Sequence, residues 1–367
     1  MSTIIVNATA ARKGGAISIL TQFLSNIPCD TLDKYIVFVN PCFNVVHKTN
    51  IEYVHVNTVK WVQRYFWDRF GLYHWVKRNG MKVDLIISFQ NTGVFFDKNV
   101  PQLIYYHQLL PLSNHKWNPL KRDELLCFLY SRIYPFFVRK YIRNNTFFAV
   151  QTQPIKECFA ERFDFDSHRI LVVSPQIEIS AESAIIDCHS TNEIDFIYPA
   201  DYFPYKNHIV LVEALRKIRK LRPELLNRIR VHLTLDLNSG SSFYRKVKDA
   251  GLEDNFLFHG MLAHKMLLKE YNKMDALLFP SFIETIGLPL LEAAGAGIAI
   301  LVSDLPYAKH VISKYEGACF IKYDEPEAWA FRIIQMTDDG FKKFPPYHYE
   351  INQDGWNSFF KTINKLK

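Results

Sequence analysis

The sequence lacks the features that mark membrane-spanning, secreted and zinc-binding proteins. None of its apolar runs approaches the ~20 residues that a transmembrane helix needs. The first apolar stretch, within MSTIIVNATAARKGG, ends too soon for a secretory signal peptide. The six cysteines form no C-x-x-C pair, so we expect reduced thiols rather than a zinc site or a disulfide framework. These absences predict a protein that stays in the cytoplasm.

The first half of the chain carries all of the net positive charge. Residues 1–180 hold 21 Lys/Arg against 13 Asp/Glu, whereas residues 181–367 hold 23 against 24. Within the first half, 59–82 and 116–145 mix basic residues with Trp, Tyr and Phe. This pattern fits amphipathic helices that pack their rings inside, and it also fits contact with an anionic membrane surface. No nucleic-acid-binding module is visible, so we predict an anionic partner other than nucleic acid.

Apolar runs of strand length alternate with helical stretches, and this alternation occurs twice. The strand-like runs of the first half are 3–8, 34–40, 83–90, 102–108, 146–152 and 169–175. Helices are predicted between them, notably over 61–79 and 121–144, and a second series begins at Glu193. Apolar strands that alternate with helices predict parallel sheets covered on both faces. We therefore predict an α/β protein with two Rossmann-like domains that face a central cleft.

Two breaks divide the chain into domains. The polar stretch 178–193 contains no clear helix or strand and is the predicted linker region. A Pro-Pro break at 345–346 precedes a segment with five apolar side chains on one helical face, namely Trp356, Phe359, Phe360, Ile363 and Leu366. The predicted organisation is one domain over 1–177, a second over 178–345 and a terminal helix over 346–367.

Residues 281–293, SFIETIGLPLLEA, place Glu284 and Glu292 on either side of Gly287. The stretch follows a short apolar strand, and Pro289 suits the first turn of a helix. The carboxylates have an ordinary explanation, because the helix dipole favours Glu292 in a first turn and Glu284 fits a solvated loop. Alternatively, free N–H groups before the helix form an anion site, and the carboxylates accept hydrogen bonds from sugar hydroxyls. A sugar nucleotide would match both features.

The longer block FPSFIETIGLPLLEAAGAGIAILVSDLP (279–306) resembles the E-x7-E signature of the retaining glycosyltransferases of family 4, or group 1. Five further features follow in the family's order: a Gly-Gly turn, a histidine at a strand end, a lysine loop, a glycine at a strand end and a terminal helix that crosses back to the first domain. They are GGAISIL (14–20), YYHQ (105–108), PADYFPYKNH (199–208), FHGML (258–262) and WNSFFKTINKLK (356–367). The resemblance implies the glycosyltransferase B fold, which has two Rossmann-like domains.

The resemblance also implies a role for each matching residue. His107 and Glu284 would contact the transferred sugar as the catalytic residues, and Glu292 would bind ribose hydroxyls. Lys206 would bind the diphosphate, where a cation offsets charge on the leaving group. The N–H groups of 285–287 would face the sugar or the diphosphate. The implied donor-binding set is Gly14, Gly15, Lys206, Glu284, Thr285, Ile286, Gly287 and Glu292.

A metal cofactor is not expected. In the family, the leaving diphosphate is stabilised by the lysine and by helix dipoles. Asp164 and Asp166 spell D-x-D, which is the metal-binding pattern of the other main glycosyltransferase fold. They lie at the junction of a predicted helix and a predicted strand, so we interpret them as turn residues.

The resemblance implies that the first domain binds an acceptor and the second binds a nucleotide sugar. The implied reaction moves a hexosyl unit, with retention, from a nucleoside diphosphate sugar to a hydroxyl of a glycan acceptor, often a lipid-linked one. This places the protein in bacterial surface polysaccharide assembly (O-antigen, lipopolysaccharide or capsule), in the cytoplasm or on the inner face of the cell membrane.

One departure from the family keeps two alternatives open. The family often has an arginine a few residues before the lysine, but 199–203 reads Pro-Ala-Asp-Tyr-Phe. Arg12 or Lys13 could compensate for the missing cation. If neither does, the chain fits a non-catalytic sugar-nucleotide-binding subunit of a glycan-assembly complex. A nucleotide-sugar epimerase of the same fold fits the signature less well than a transferase does.

Overall fold

The computed structural model describes residues 1–12, 15–176, 192–237, 241–347, 349 and 354–367. Contacts between Cα atoms divide the chain into two compact units. The first comprises Met1–Leu120, Leu125–Gln176 and Ile351–Lys367, and the second comprises Lys121–Glu124 and Ile177–Glu350. Lys13, Gly14 and almost all of the predicted linker 178–193 lie outside the described residues.

The first unit is built on a parallel sheet whose inner strands are buried along almost their whole length. In chain order the strands are β1 (Thr3–Ala8), β2 (Lys34–Val39), β3 (Ile51–His55), β4 (Leu85–Ser88), β5 (Gln102–Tyr106), β6 (Thr146–Val150) and β7 (Ile170–Val172). Their order across the sheet is β3-β2-β1-β4-β5-β6-β7, and each neighbouring pair is parallel. Apolar side chains on both faces explain this burial, because helices must cover both sides of such a sheet.

All helices of the first unit but the last lie between strands of its sheet. They are α1 (Gly15–Asn26), α2 (Trp61–Phe66), α3 (Leu72–Arg78), α4 (Arg122–Arg132, whose first three residues group with the second unit), α5 (Tyr134–Lys140), α6 (Gln153–Phe163) and the terminal α14 (Asp354–Leu366). A π-helical turn, Trp67–Gly71, joins α2 to α3, and 3-10 turns lie at Leu110–Leu112 and Ser167–Arg169.

The terminal helix α14 packs on the core of the first unit. Trp356 and Phe359 are buried, and their rings lie 6.1 and 5.8 Å from the Phe23 ring of α1. Phe360 stacks on Phe23 with centroids 5.6 Å apart. Trp356 also stacks on Tyr105 of β5. Each fully buried aromatic side chain contributes roughly 1.5–3 kcal/mol, so this face holds the end of the chain against the first sheet.

The second unit repeats the same architecture with a smaller sheet. Its strands are β8 (Ile194–Tyr198), β9 (Ile229–Leu233), β10 (Phe256–Phe258), β11 (Ala276–Phe279), β12 (Ala299–Ser303) and β13 (Ala318–Ile321), all parallel, in the order β10-β9-β8-β11-β12-β13. Its helices are α7 (His208–Leu221), α8 (Pro223–Leu226), α9 (Ser241–Asp249), α10 (His264–Tyr271), α11 (Leu288–Gly295), α12 (Pro306–Ile312) and α13 (Pro326–Asp339). Two 3-10 turns lie at Pro204–Lys206 and Glu253–Asn255.

The predicted α/β class with two Rossmann-like domains is confirmed, and the differences are local. Strand β3 was not predicted, because IEYVH is short and carries polar residues at the sheet edge. The predicted helix 121–144 is two helices, since Pro135 in the first turn of α5 cannot donate a backbone hydrogen bond to the preceding turn. In the part of the chain that is described, no helix combines the length and the apolarity needed to cross a bilayer.

Candidate active site

Lys206 lies on a loop that is fixed by its neighbours. The loop follows β8 and ends in the 3-10 turn, after which Asn207 has a left-handed backbone (φ +56°), a conformation that asparagine tolerates. The Asn207 amide donates to the carbonyls of Pro280 (3.3 Å) and Tyr323 (2.7 Å). The Tyr198 hydroxyl donates to the Lys206 carbonyl at 2.6 Å. These hydrogen bonds fix the backbone at Lys206 and Asn207 independently of the contacts of the Lys206 side chain.

The loop after β11 is hydrogen-bonded to the lysine loop. The Phe282 N–H and the Ser281 hydroxyl both donate to the Tyr205 carbonyl, at 2.9 and 3.2 Å. The Tyr307 hydroxyl donates to the Ser281 carbonyl at 2.7 Å. The two loops follow neighbouring parallel strands, β8 and β11, at their carboxyl ends, which is where open α/β sheets bind ligands.

The Lys206 ammonium and the Glu284 carboxylate form an ion pair between these loops. The side chains are only 18% and 12% exposed, so the pair is largely withdrawn from water. Burial raises the pKa of Tyr198 and Tyr307 well above its usual value, and the nearby Glu284 carboxylate raises it further. Both phenols therefore stay protonated and keep donating to the loop carbonyls. The structure thus brings together a cation and a carboxylate that lie 78 residues apart in the sequence.

The segment 285–287 carries the backbone donors that the sequence predicts. The Ile286 side chain is buried in the core, so only its backbone is available to a ligand. Gly287 is the N-cap of α11 and has φ +71°. Among the described residues, no acceptor takes a hydrogen bond from the N–H of Thr285, Ile286 or Gly287. These groups, at the positive end of a helix dipole, form a suitable anion site beside the ion pair.

We predict that Gly287→Ala lowers the free energy of unfolding by about 1–3 kcal/mol, because a left-handed backbone strains an L-residue. The new Cβ would also lie 3.1 Å from Leu290 Cδ1. Gly80→Ala is the matched control for the close contact. Gly80 has φ +59° and so the same kind of backbone strain, but no neighbour lies within 4 Å of the added atom. Thermal unfolding of both variants measures the difference. A Gly287 variant no less stable than the Gly80 control would show that the loop relaxes around the methyl group.

Glu292 is buried in the second turn of α11, not in the first turn as the sequence suggests, and accepts two hydrogen bonds. Its Oε2 accepts from the Tyr271 hydroxyl at 3.0 Å, and its Oε1 lies 2.9 Å from His264 Nε2. Burial, with the Glu292 carboxylate beside it, raises the pKa of Tyr271 well above its usual value, so its phenol remains a donor. A carboxylate offers about four acceptor positions, so two remain for ligand hydroxyls. Sequence reasoning missed His264 and Tyr271, although they begin and end α10 two helical turns apart and so share a face.

In the first unit, His107 follows the last residue of β5. Its backbone N–H donates to Asn91 Oδ1 at 2.6 Å, and Asn91 has a left-handed backbone, φ +63°. Burial, with the nearby Arg64 charge, lowers the pKa of His107 to about 4. Its ring is therefore neutral at neutral pH, and Nδ1 finds no partner among the described residues. A neutral imidazole at a strand end can exchange a hydrogen bond with a hydroxyl, but it cannot serve as a cation.

The remaining predicted residues have simpler surroundings. Gly15 begins α1, is exposed, and has nothing within 4 Å of the place where a Cβ would stand. Asp164 has a left-handed backbone at the end of α6, and Asp166 Oδ1 accepts from the His168 N–H at 2.9 Å. Both aspartates therefore act as cap and turn residues. No cluster of three or more His, Cys, Asp or Glu side chains that could hold a metal ion occurs in the described ranges.

Of the predicted site residues, Lys206, Glu284, Thr285, Ile286, Gly287 and Glu292 lie in the second unit, and Gly15 and His107 lie in the first. Within the second unit, the first five of the six line two hydrogen-bonded loops, and Glu292 follows them in α11. Gly14 lies outside the described residues.

The chain is similar to known glycosyl transferases in sequence. The family model described as glycosyl transferases group 1 matches residues 187–349. The chain is 24% identical over 262 residues to the O-antigen chain mannosyltransferase RfbU of Salmonella typhimurium. The aligned region covers 65% of this chain and 68% of that protein. It is 26% identical over 215 residues to the D-inositol 3-phosphate glycosyltransferase of Corynebacterium glutamicum, of whose length it spans only 50%.

Solved structures show the same fold over nearly the whole chain. Sucrose-phosphate synthase from Thermosynechococcus elongatus superposes with a TM-score of 0.65 at 14% identity, covering 92% of this chain and 90% of that one. HepE from Anabaena, in complex with UDP-glucose, superposes with a TM-score of 0.64 at 12% identity and the same coverage. Residues 187–349 match the group 1 family of glycosyl transferases, and the fold of the chain is the glycosyltransferase B fold, as its sequence predicts.

Proposed function

We propose that the protein is a retaining glycosyltransferase that moves a hexosyl unit from a nucleoside diphosphate sugar to a hydroxyl of a glycan acceptor. The observation that carries this proposal is the Lys206–Glu284 pair beside the N–H groups of 285–287, for which the described part of the chain offers no acceptor. A diphosphate needs a cation and backbone donors, and a sugar needs a carboxylate acceptor. All three chemistries occur together on two joined loops.

The proposed donor site divides along these loops. The diphosphate binds Lys206 and the N–H groups of 285–287, the ribose hydroxyls bind Glu292, and the transferred sugar contacts Glu284. The family resemblance implies that Gly14, Gly15 and His107 also take part in donor binding, and His107 would bring a neutral imidazole. The solved HepE structure contains UDP-glucose on the same fold, which supports a donor of this class.

The proposed reaction needs no carboxylate nucleophile. The bond between the anomeric carbon and the diphosphate oxygen breaks, and the acceptor oxygen bonds to the same face of that carbon. The acceptor proton passes to the leaving diphosphate, so charge and atoms balance. Lys206 and the positive end of α11 stabilise the negative charge that develops on the diphosphate.

We further propose that the acceptor is a lipid-linked glycan of a bacterial surface polysaccharide, such as O-antigen or capsule, and that the protein acts in the cytoplasm at the inner face of the membrane. The similarity to RfbU, an O-antigen chain mannosyltransferase, supports this assignment.

A second candidate is a sugar-nucleotide-binding subunit without transfer activity. The observation in its favour is that 199–203 offers no cation beside Lys206 and instead includes the exposed Asp201. Within the lysine loop, 199–207, Lys206 is therefore the only cationic side chain, and it is paired with Glu284.

One experiment separates transfer from binding. A panel of nucleoside diphosphate sugars is first screened for thermal stabilisation of the protein, and the best donor is then incubated with and without lipid-linked glycan acceptors. Release of nucleoside diphosphate that requires an acceptor supports transfer. Tight donor binding without release, across the acceptors tested, supports the binding subunit. Interconversion of the sugar without acceptor would instead identify an epimerase.

We predict that transfer continues in excess chelator. Asp164 and Asp166 are used as a helix cap and a turn acceptor, and Lys206 supplies the positive charge at the diphosphate. Initial rates are measured in EDTA and then after addition of magnesium or manganese. Complete loss of activity in EDTA with recovery on adding metal would contradict the prediction and require another set of oxygen ligands.

A further inference from the structure

The first unit exposes large apolar side chains on two neighbouring segments, 59–70 and 125–136. Helix α2 buries none of its residues, and α4 buries Cys127 and Ser131. The burial pattern of α4 is inverted, because its leucines face solvent while a cysteine and a serine face the core. The exposed apolar residues are Val59, Trp61, Val62, Phe66, Phe70, Leu125, Leu126, Leu129, Ile133 and Phe136. We call this set the apolar face.

Ring contacts join the two segments into one surface. The Trp61 and Tyr65 rings of α2 lie 5.8 and 6.2 Å from the Phe137 ring of α5. The neighbouring Phe136 ring is 5.9 Å from Phe137 and is itself 67% exposed. Exposed apolar side chains that gather on neighbouring segments mark an interaction site.

The charge around the apolar face identifies the kind of partner. Residues 59–70 and 125–140 contain six Lys/Arg and a single acidic residue, Asp68. Asp68 is buried and does not offset the surface charge, because it accepts from Asn7 at 2.8 Å and pairs with Arg64 at 3.7 Å. Lys60, Arg132 and Lys140 are exposed beside the apolar residues. The face therefore combines apolar insertion groups with a surplus of positive charge.

We propose that the apolar face docks on an anionic lipid bilayer, with its apolar side chains in the headgroup and acyl boundary and its basic residues on lipid phosphates. Exposed aromatic and aliphatic groups among lysines and arginines are the pattern of interfacial membrane contacts. A second copy of the chain is a poor occupant, because a two-fold interface would set the same exposed basic residues, among them Lys60, Arg132 and Lys140, against one another. A protein interface would be expected to exclude charge from its core. The docking does not depend on the transfer reaction, and it would bring the protein to a lipid-linked acceptor.

Co-sedimentation of the full chain with vesicles tests the proposal. Vesicles of phosphatidylcholine alone are compared with vesicles that also contain about 30% of the anionic lipid phosphatidylglycerol. Both kinds are tested at low and at high salt. We expect binding only to the anionic vesicles, weakening as salt screens the charges. Equal and negligible binding in all conditions would overturn the proposal.

Matched variants locate the contact. Phe136→Glu is compared with Phe331→Glu, because both phenylalanines are 67% exposed and Phe331 lies on α13 of the second unit. We expect at least a tenfold loss of binding for the first and none for the second, since insertion of a charge opposes burial. Replacing Arg132 or Lys140 by glutamine should lower the affinity for anionic vesicles about fivefold each. Replacing Lys246 and Lys248 of the second unit by glutamine should leave that affinity unchanged. Equal losses for the two sets would place the contact elsewhere and overturn the assignment.

Trp61 supplies a second readout that does not rely on affinity. It is 57% exposed on the apolar face. Brominated lipids should quench part of the tryptophan emission, and this part should disappear in Trp61→Phe. Sedimentation velocity without lipid tests the competing occupant. A dimer that Phe136→Glu dissociates would assign the face to a second copy of the chain and overturn the proposal.

Discussion

Replacing Lys206 with alanine is expected to lower kcat/KM for transfer by about 10²–10³-fold, which is the usual cost of removing one preorganised donor to a developing anion. Lys206 is paired with Glu284, directly before the N–H groups of 285–287, which donate to no acceptor within the described ranges. Steady-state kinetics with the best donor measures the effect. Lys217→Ala is the control, because Lys217 forms an exposed ion pair with Glu327 and such pairs contribute little. Equal rates for wild type and Lys206→Ala would remove Lys206 from the proposed donor site.

The Lys206–Glu284 ion pair leads to a second prediction, in which a substitution strengthens nucleoside diphosphate binding instead of lowering activity. Without ligand, Glu284 neutralises Lys206, so a diphosphate has to compete with or share this carboxylate. Glu284→Gln should therefore bind nucleoside diphosphate more tightly, by roughly tenfold or about 1.4 kcal/mol. The same variant should transfer sugar more slowly, because an amide accepts hydroxyl hydrogen bonds less strongly than a carboxylate.

The double variant Lys206→Ala with Glu284→Gln completes a cycle. If the two residues act through their ion pair, the gain from Glu284→Gln disappears when Lys206 is absent. An unchanged gain would mean that Glu284 repels the diphosphate directly, without acting through the lysine. In the binding-subunit alternative, the diphosphate effects remain and no transfer is detected in any variant.

The fold and the second-unit loops could be predicted because local chemistry determines them. Apolar strands alternating with helices allow few arrangements other than a covered parallel sheet. Gly287 was identifiable because a loop between a strand and a helix N-terminus favours a residue that adopts positive φ. Lys206 and Glu284 follow neighbouring strands, but no local pattern states that those strands are neighbours. The family resemblance assigned both residues to donor binding but implied no contact between them, and the β8–β11 pairing brings their loops together.

Other features depend on tertiary contacts that leave little trace in the sequence. Asn7, Asp68 and Gln90 come from separate segments and form a buried network, in which Asn7 Oδ1 accepts from Gln90 at 3.2 Å. Burial raises the pKa of Asp68 to about 6 despite the nearby Arg64, a value that no spacing predicts. The exposed leucines of α4 are also unexpected, because helical periodicity predicts that they face a core. Sequence patterns predict which side chains are apolar, but they do not identify what covers them.

Glu292→Ala is expected to weaken donor binding by about 10- to 150-fold, the equivalent of 1.5–3 kcal/mol for a lost hydrogen bond to a charged group, while kcat changes little. The carboxylate is held by Tyr271 and His264, which leave acceptor positions for ribose hydroxyls. Isothermal titration with the donor measures affinity. The alanine variant also leaves the buried Tyr271 hydroxyl without its Glu292 acceptor, so the variant Tyr271→Phe serves as a structural control. It removes one partner of Glu292 and keeps the carboxylate.

A deoxyribose donor distinguishes ribose recognition from general damage to the site. If Glu292 binds ribose hydroxyls, the wild-type protein should bind the 2′- or 3′-deoxy donor about 10-fold or more less tightly than the parent donor. The Glu292→Ala variant should bind the parent and the deoxy donor with equal affinity, because it lacks the carboxylate that accepts the hydrogen bond of the ribose hydroxyl. His264→Ala should show an intermediate difference, since His264 orients the Glu292 oxygen without replacing it. A wild-type protein that does not distinguish the donors would assign Glu292 to holding α10 against α11, and its two hydrogen bonds would then be purely structural.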